Sequence, residues 1–173
     1  MKNNSSNSLN LAKGGIFTAL SFLCIYLSSI LPVNKLYLLS MACALITISV
    51  VYTDIKNGFL VYLASSILSI MLIGLGRVVV ISYIIFFGSY GLIKYYIEKL
   101  NKLTLEIILK FIFFNICLVI MFLIYKFFIP SIPLIDKYLW IYILVGQIVF
   151  FIFDYILTLF IFYVEKHFIK KLK

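Results

Sequence analysis

Charged residues are scarce in this 173-residue chain, where they make up 12% of the positions against 65% for hydrophobic residues. Soluble domains average about 25% charged residues and about 45–50% apolar residues. The composition therefore excludes a water-soluble globular protein and indicates a polytopic membrane protein.

Residues that carry common catalytic chemistry are also few. The single histidine, His167, follows the last long apolar run, so it cannot activate a serine nucleophile inside the membrane. Cys24, Cys43 and Cys117 fall in separate apolar runs and form no CxxC pair. The sequence also contains no HExxH motif. We therefore expect no enzyme, no cofactor and no bound metal.

Long apolar runs are what the sequence has in abundance. A helix of about 20 such residues crosses the bilayer core, which is about 30 Å thick. The sequence predicts an all-α membrane bundle of six transmembrane helices, over Ile16–Leu31, Leu36–Tyr52, Gly58–Gly74, Val78–Tyr95, Leu105–Phe128 and Tyr138–Tyr163.

Basic residues are distributed unevenly between the two sides of this bundle. Only Lys35, Arg77, Lys126 and Lys137 fall on one side, and all other lysines fall on the opposite side or at its helix ends. The positive-inside rule then places both termini in the cytoplasm of a multi-pass protein of the bacterial cytoplasmic membrane. We attribute the net charge of +9 to this topology and to membrane lipids as partners, and expect no nucleic acid.

Two short segments flank the six spans. Residues 1–13 are rich in Asn and Ser and predict a disordered cytoplasmic tail. Residues 166–173 predict a basic cytoplasmic tail that lies against anionic lipid headgroups. The transmembrane domain then covers residues 14–165, and its first run is expected to be retained as a helix rather than cleaved as a signal peptide.

Asp154 lies near the middle of the sixth run, where a carboxylate costs about 2.5–3.5 kcal/mol on insertion scales. Lys110 of the fifth run is placed about 6 Å away along the membrane normal, within reach of a lysine side chain. One interpretation is a structural ion pair that holds the last two helices together. The other is that Asp154 handles a ligand or a proton, because intramembrane carboxylates are functional by default.

Other polar side chains in the spans are candidates for a ligand site. Gln147 lies two turns before Asp154 on nearly the same helix face, and Asn115 lies near the centre of the fifth run. Tyrosines of the third and fourth runs are placed to line a cavity. The ligand-binding candidates are Tyr62, Tyr83, Tyr90, Asn115, Gln147 and Asp154.

Small residues concentrate in the first four runs, whereas the last two are almost entirely bulky. In the first run, Gly14, Gly15 and Ala19 include a four-residue spacing that lets helix backbones approach closely. These residues either pack inside the bundle or dock a partner helix, and the pattern does not distinguish the two.

The connection between the fourth and fifth runs carries two pairs of opposite charge at four-residue spacing. These are Lys94 with Glu98 and Glu106 with Lys110, both compatible with a helix surface. One interpretation is a solvated cytoplasmic hairpin, and the other is a charged surface that an energising partner grips.

A local resemblance follows from these residues. The segment from Tyr83 to Lys94, with Glu98, Glu106–Lys110 and Phe113–Asn115 after it, resembles a family of small membrane proteins of clostridial-type bacteria.

The six-span arrangement as a whole resembles the substrate-binding S components of energy-coupling-factor transporters. That resemblance implies uptake of a small molecule, such as a vitamin or its precursor, energised by a separate transmembrane coupling subunit and ATPases. It also implies that the small-residue face of the first helix docks the coupling subunit. The alternative is a non-catalytic membrane scaffold or assembly protein with no transported ligand.

Overall fold

The computed structural model describes residues 2–100, 102–128 and 139–169. Within these ranges each of six helices contains a stretch long and apolar enough to cross a membrane, which confirms the predicted spans and defines a multi-pass membrane protein. Which side of the membrane the termini occupy stays a prediction. The helices are α1 (Lys2–Ile30), α2 (Lys35–Tyr52), α3 (Ile55–Leu72), α4 (Val78–Glu98), α5 (Leu103–Phe128) and α6 (Leu139–Val164).

The first helix begins earlier than the sequence predicts. Residues 1–13 are expected to be disordered, whereas the structure continues α1 back to Lys2. Contacts with the first turn of α3 and the connection before it explain the difference, because Asn57 Nδ2 donates to the Asn10 carbonyl at 2.7 Å. Asn10 Nδ2 in turn donates to Asp54 Oδ2 at 3.2 Å. We call this side of the bundle the Asp54 end.

The opposite side, which we call the Arg77 end, holds the α1–α2 and α3–α4 connections. Arg77 Nη1 donates to the Ser29 carbonyl at 2.9 Å and ties these two connections together. Gly74 turns the chain there with a φ of 93°, a conformation that glycine adopts without steric cost. Both ends show that consecutive helices α1 to α4 run in opposite directions.

Close backbone approach holds α2, α3 and α4 together. A Cβ atom added to Gly58 of α3 would lie 2.2 Å from Val50 Cγ2 of α2. A Cβ atom on Gly91 of α4 would lie 3.0 Å from Thr47 Oγ1 and 3.1 Å from the Cys43 carbonyl, both on α2. The small residues of these spans therefore serve internal helix packing.

The last two helices are more peripheral and attach through large side chains. In its most apolar window α4 is 50% buried, against 17% for α5 and 11% for α6. The Phe114 ring of α5 stacks on the Phe150 ring of α6 with a centroid distance of 4.4 Å. Phe86 of α4 lies 5.5 Å from the first ring and 5.9 Å from the second. Phe86 belongs to a π-helical turn, Tyr83–Phe87, of a kind often found at functional sites.

The sixth helix continues beyond Val164 as a π-helical turn, Glu165–Ile169. The predicted basic tail over 166–173 therefore starts within helical structure. Its residues 170–173 lie outside the described residues, as does the start of the predicted sixth span at Tyr138.

Candidate functional site

Four charged side chains meet in the Asp54 half of the bundle, and we call them the charge cluster: Lys94 and Glu98 of α4, Lys110 of α5 and Asp154 of α6. Glu98 Oε1 lies 2.7 Å from Lys94 Nζ and 3.0 Å from Lys110 Nζ. Asp154 pairs with Lys94 through Oδ1 and lies 2.8 Å from Lys110 Nζ through Oδ2. Each lysine contacts both carboxylates, so the four formal charges cancel in a closed ring.

The charged side chains of this ring are largely buried, and buried charges need partners of opposite sign. The Lys94 side chain is 0% exposed, and those of Lys110 and Asp154 are 8% and 14% exposed. Lys94 Nζ also donates to Thr158 Oγ1 at 2.8 Å, so its three donor hydrogens have three acceptors. A buried ion is tolerated only with such complete pairing. Glu98, at 33% exposure, is the most accessible member of the ring.

The proximity expected between Lys110 and Asp154 agrees with the 2.8 Å separation, but the expectation for Lys94 is wrong. The sequence places Lys94 on a solvated cytoplasmic hairpin, whereas its side chain is fully buried. Four-residue spacing identifies its partner Glu98 but not the face of α4 that turns inward. The glycines before it do not mark that face either, because a Cβ atom on Gly88 would meet Tyr62 of α3 and one on Gly91 would meet Thr47 of α2, whereas Lys94 pairs with α6.

The second predicted hairpin pair is also corrected. Lys110 engages Glu98 and Asp154 rather than Glu106. Within the described part of the chain Glu106 forms no ion pair and stands in the first turn of α5. The buried carboxylate of Asp154 competes more strongly for Lys110 than a partner at a helix end, where water screens charge.

The three tyrosines predicted to line a cavity use their hydroxyls in internal packing. Tyr90 donates to Asp154 Oδ1 at 2.5 Å and so joins the charge cluster. The Tyr83 hydroxyl bonds to the Ser65 hydroxyl at 2.6 Å, and Tyr62 donates to a backbone carbonyl of α4 at 2.9 Å. Tyr83 and Tyr90 are fully buried. These groups stabilise helix contacts.

The two predicted amide residues pair with each other instead of joining the tyrosines. Gln147 Nε2 donates to Asn115 Oδ1 at 2.9 Å, which links α6 to α5. Asn115 Nδ2 donates to the Phe111 carbonyl at 2.8 Å. This pair lies about 10 Å from Asp154 along α6 at 1.5 Å per residue. The six ligand-binding candidates therefore fall in three separate places.

The predicted docking face of α1 divides between two sides of the helix. Gly14 is buried, and a Cβ atom there would lie 2.6 Å from Asn57 Oδ1, so this residue belongs to the α1–α3 contact. Gly15 and Ala19 are exposed, and a Cβ atom on Gly15 would meet nothing within 4 Å. Of the three predicted docking residues, Gly14 is therefore not accessible to a partner helix.

An apolar cavity of about 250 Å³ lies between α2, α4, α5 and α6, towards the Arg77 end. Its described lining contains no charged side chain and none of the ligand-binding candidates. The sequence does not reveal it, because its walls are mostly ordinary apolar residues, with Ser40 and Ser82, contributed by four helices. Five of them are phenylalanines: Phe86, Phe87, Phe114, Phe150 and Phe153.

Aromatic side chains connect this cavity to the charge cluster. The Tyr90 ring lies 5.5 Å from Phe86, 5.4 Å from Phe150 and 5.8 Å from Phe153, measured between centroids. The Tyr90 hydroxyl donates to Asp154, as described above. One layer of rings thus separates the cavity from the charges and contacts both.

The described residues include no group of three or more His, Cys, Asp or Glu side chains placed to hold a metal ion. Comparison of the chain with protein-family models, curated proteins and solved structures finds no match. The fold and the site together define a multi-pass helical membrane protein with an apolar cavity above a neutral, buried charge cluster.

Proposed function

We propose that this protein is a non-catalytic, substrate-binding membrane subunit that takes up a small hydrophobic molecule, such as a vitamin or its precursor, in the bacterial cytoplasmic membrane. The observation that supports this most directly is the apolar cavity lined by four helices. Small-molecule sites are mostly apolar and typically occupy about 300–1,000 Å³. At about 250 Å³ the cavity suits a small ligand, or one part of a larger one.

The charge cluster supports a role in coupling rather than in ligand contact. All four of its charges are paired within the cluster, and the aromatic layer lies between them and the cavity. A ligand that displaces Phe150 or Phe153 would press on Tyr90 and hence on Asp154. Glu98 is the most accessible member of the cluster, so a change in these contacts would reach the Asp54 end. In the proposed orientation that end faces the cytoplasm, where a coupling subunit and its ATPases act.

The exposed side of α1 supports docking of that coupling subunit. Gly15 and Ala19 leave room for a partner backbone to approach closely, because both are exposed and the described residues place no other helix over them. The partner in this proposal is a transmembrane helix, since these residues lie within a membrane span.

The experiment that tests ligand binding uses the protein purified from its own membranes into lipid nanodiscs. Mass spectrometry of the organic extract should show a small hydrophobic molecule enriched over empty nanodiscs. Gly146→Leu should remove it, because a Cβ atom fits there, 4.0 Å from Phe114, and the longer side chain projects into the cavity. The control Val145→Leu changes an exposed neighbour and should retain the molecule. No enrichment in the unaltered protein would refute the proposal.

A scaffold protein is the second candidate, and one observation favours it. The charge cluster is closed on itself, which is what a purely structural lock between α4, α5 and α6 requires. This alternative predicts that changes in the cavity affect stability only and that no molecule copurifies.

A further inference from the structure

A second apolar volume, which we call the lateral groove, runs between α2 and α6 beside the cavity. It measures about 470 Å³ and shares three wall residues with the cavity: Ser40, Val149 and Phe153. Ile152 and Ile156 line the groove and are 54% and 58% exposed, on the surface that lipid surrounds. The lateral groove therefore lies between the cavity and the bilayer.

The walls of the two volumes differ in a way that distinguishes the parts of a ligand. The cavity is lined by five phenylalanines, and aromatic rings pack favourably on one another in offset and edge-to-face arrangements. The lateral groove reverses the proportion: it has three aromatic residues, Tyr37, Phe153 and Phe160, and five aliphatic ones, Ala44, Val149, Ile152, Ile156 and Leu157, whereas the cavity has only three aliphatic ones, Leu36, Leu118 and Val149. No charged side chain occurs among the described lining residues of either volume.

The length of the lateral groove fits a lipid-like chain. From Val149 to Phe160 of α6 it extends about 16 Å at 1.5 Å per residue. That is about half of the hydrocarbon core, which is about 30 Å thick, so the groove is long enough for an extended aliphatic chain. Tyr37 lines the groove at the end nearer the start of α2.

We propose that the ligand is a hydrophobic ring carrying an aliphatic chain, and that it enters sideways from the bilayer between α2 and α6. The ring lies among the phenylalanines of the cavity and the chain lies in the lateral groove. Phe153 lines both volumes and is the side chain that the ring passes on entry. This inference rests on the proposed function, because it identifies the class of molecule that the cavity takes.

The test uses a photoreactive probe, 2-decylnaphthalene with a diazirine at the end of its chain, and the protein in lipid nanodiscs. After irradiation, peptide mapping should place the label within residues 37–44 of α2 and 149–160 of α6. Excess unlabelled 2-decylnaphthalene should suppress it. A diazirine-bearing decane, which lacks the ring, should label these positions only at higher concentration.

Two matched variants on α6 make the test specific. Ile152→Trp should fill the lateral groove and raise the half-saturating probe concentration about tenfold or more, as steric mismatch in an apolar pocket does. Ile148→Trp makes the same change one turn away at a residue that is 61% exposed and lines neither volume. This control should label like the unaltered protein.

The outcomes separate this inference from the proposed function. Labelling that spreads over all exposed helix faces, or that the ringless probe reproduces at equal concentration, would show ordinary lipid contact and overturn the inference. If Gly146→Leu removes the copurified molecule while Ile152→Trp leaves labelling unchanged, the cavity binds a ligand but the lateral route is wrong. If no molecule copurifies but groove labelling is ring-dependent and sensitive to Ile152→Trp, the ring-and-chain site stands and uptake of a native ligand is refuted.

Discussion

Replacing Asp154 by asparagine tests what the charge cluster contributes to this fold. The change leaves Lys94 and Lys110 to share Glu98, and the ring gains one uncompensated positive charge. Removing one partner of a buried ion pair costs about 3–5 kcal/mol. Because both lysines keep Glu98 at 2.7 and 3.0 Å, we expect Asp154→Asn to lower the free energy of unfolding by about 3 kcal/mol, the lower end of that range.

A second substitution should restore most of this loss if the cost arises from the unpaired charge. Lys94→Met in the Asp154→Asn background removes the excess cation, and replacing both members of a buried pair is often neutral. The same rescue by Lys110→Met should be smaller. Lys110 retains some exposure at 8%, so its long side chain can move its ammonium towards water, whereas Lys94 at 0% has no such path.

The measurement is reversible unfolding of the purified protein by sodium dodecyl sulfate titration in lipid bicelles, followed by near-ultraviolet circular dichroism and by proteolysis. The variants are Asp154→Asn, Lys94→Met, Lys110→Met and the two double variants that combine Asp154→Asn with either lysine change. Together they give two complete double-mutant cycles. A loss below about 1 kcal/mol for Asp154→Asn would mean that the pairs are as weak as surface salt bridges and would refute the reasoning. If Lys94→Met and Lys110→Met restored the unfolding free energy equally, the argument from the deeper burial of Lys94 would be refuted.

Three further predictions concern other parts of the bundle. Gly58→Ala should lower the unfolding free energy by about 1–3 kcal/mol in the same titration, because its Cβ atom would lie 2.2 Å from Val50; unchanged stability would contradict this contact. Ala19→Leu should leave stability unchanged, because Ala19 is exposed, but it should abolish copurification of a coupling subunit. A partner that this variant retains would exclude the α1 docking face. Reporter fusions should report outside at Arg77 and inside at Asn57, and the reverse result would invert the proposed topology.

Counting residues along the helices predicts which charged side chains lie at the same depth, and this identified one ion pair only. Lys110 and Asp154 fall at similar depths by counting 1.5 Å per residue along their helices. In the structure Lys110 Nζ lies 2.8 Å from Asp154 Oδ2. The same counting does not predict Lys94, because depth says nothing about rotation of a helix around its axis. Gly14 and Gly15 illustrate this, since adjacent residues of α1 lie on a buried and an exposed side.

The sequence by itself determined the six membrane-spanning helices and the need to compensate Asp154. Both follow from the transfer of residues between water and hydrocarbon, which depends on composition and length rather than on neighbours. Only the tertiary structure decided which face of each helix turns inward, and with it the buried position of Lys94, the closed charge cluster and the apolar cavity. In a chain that is hydrophobic on nearly every face, inward and lipid-facing surfaces have the same composition, so packing of shapes distinguishes them where hydrophobicity does not.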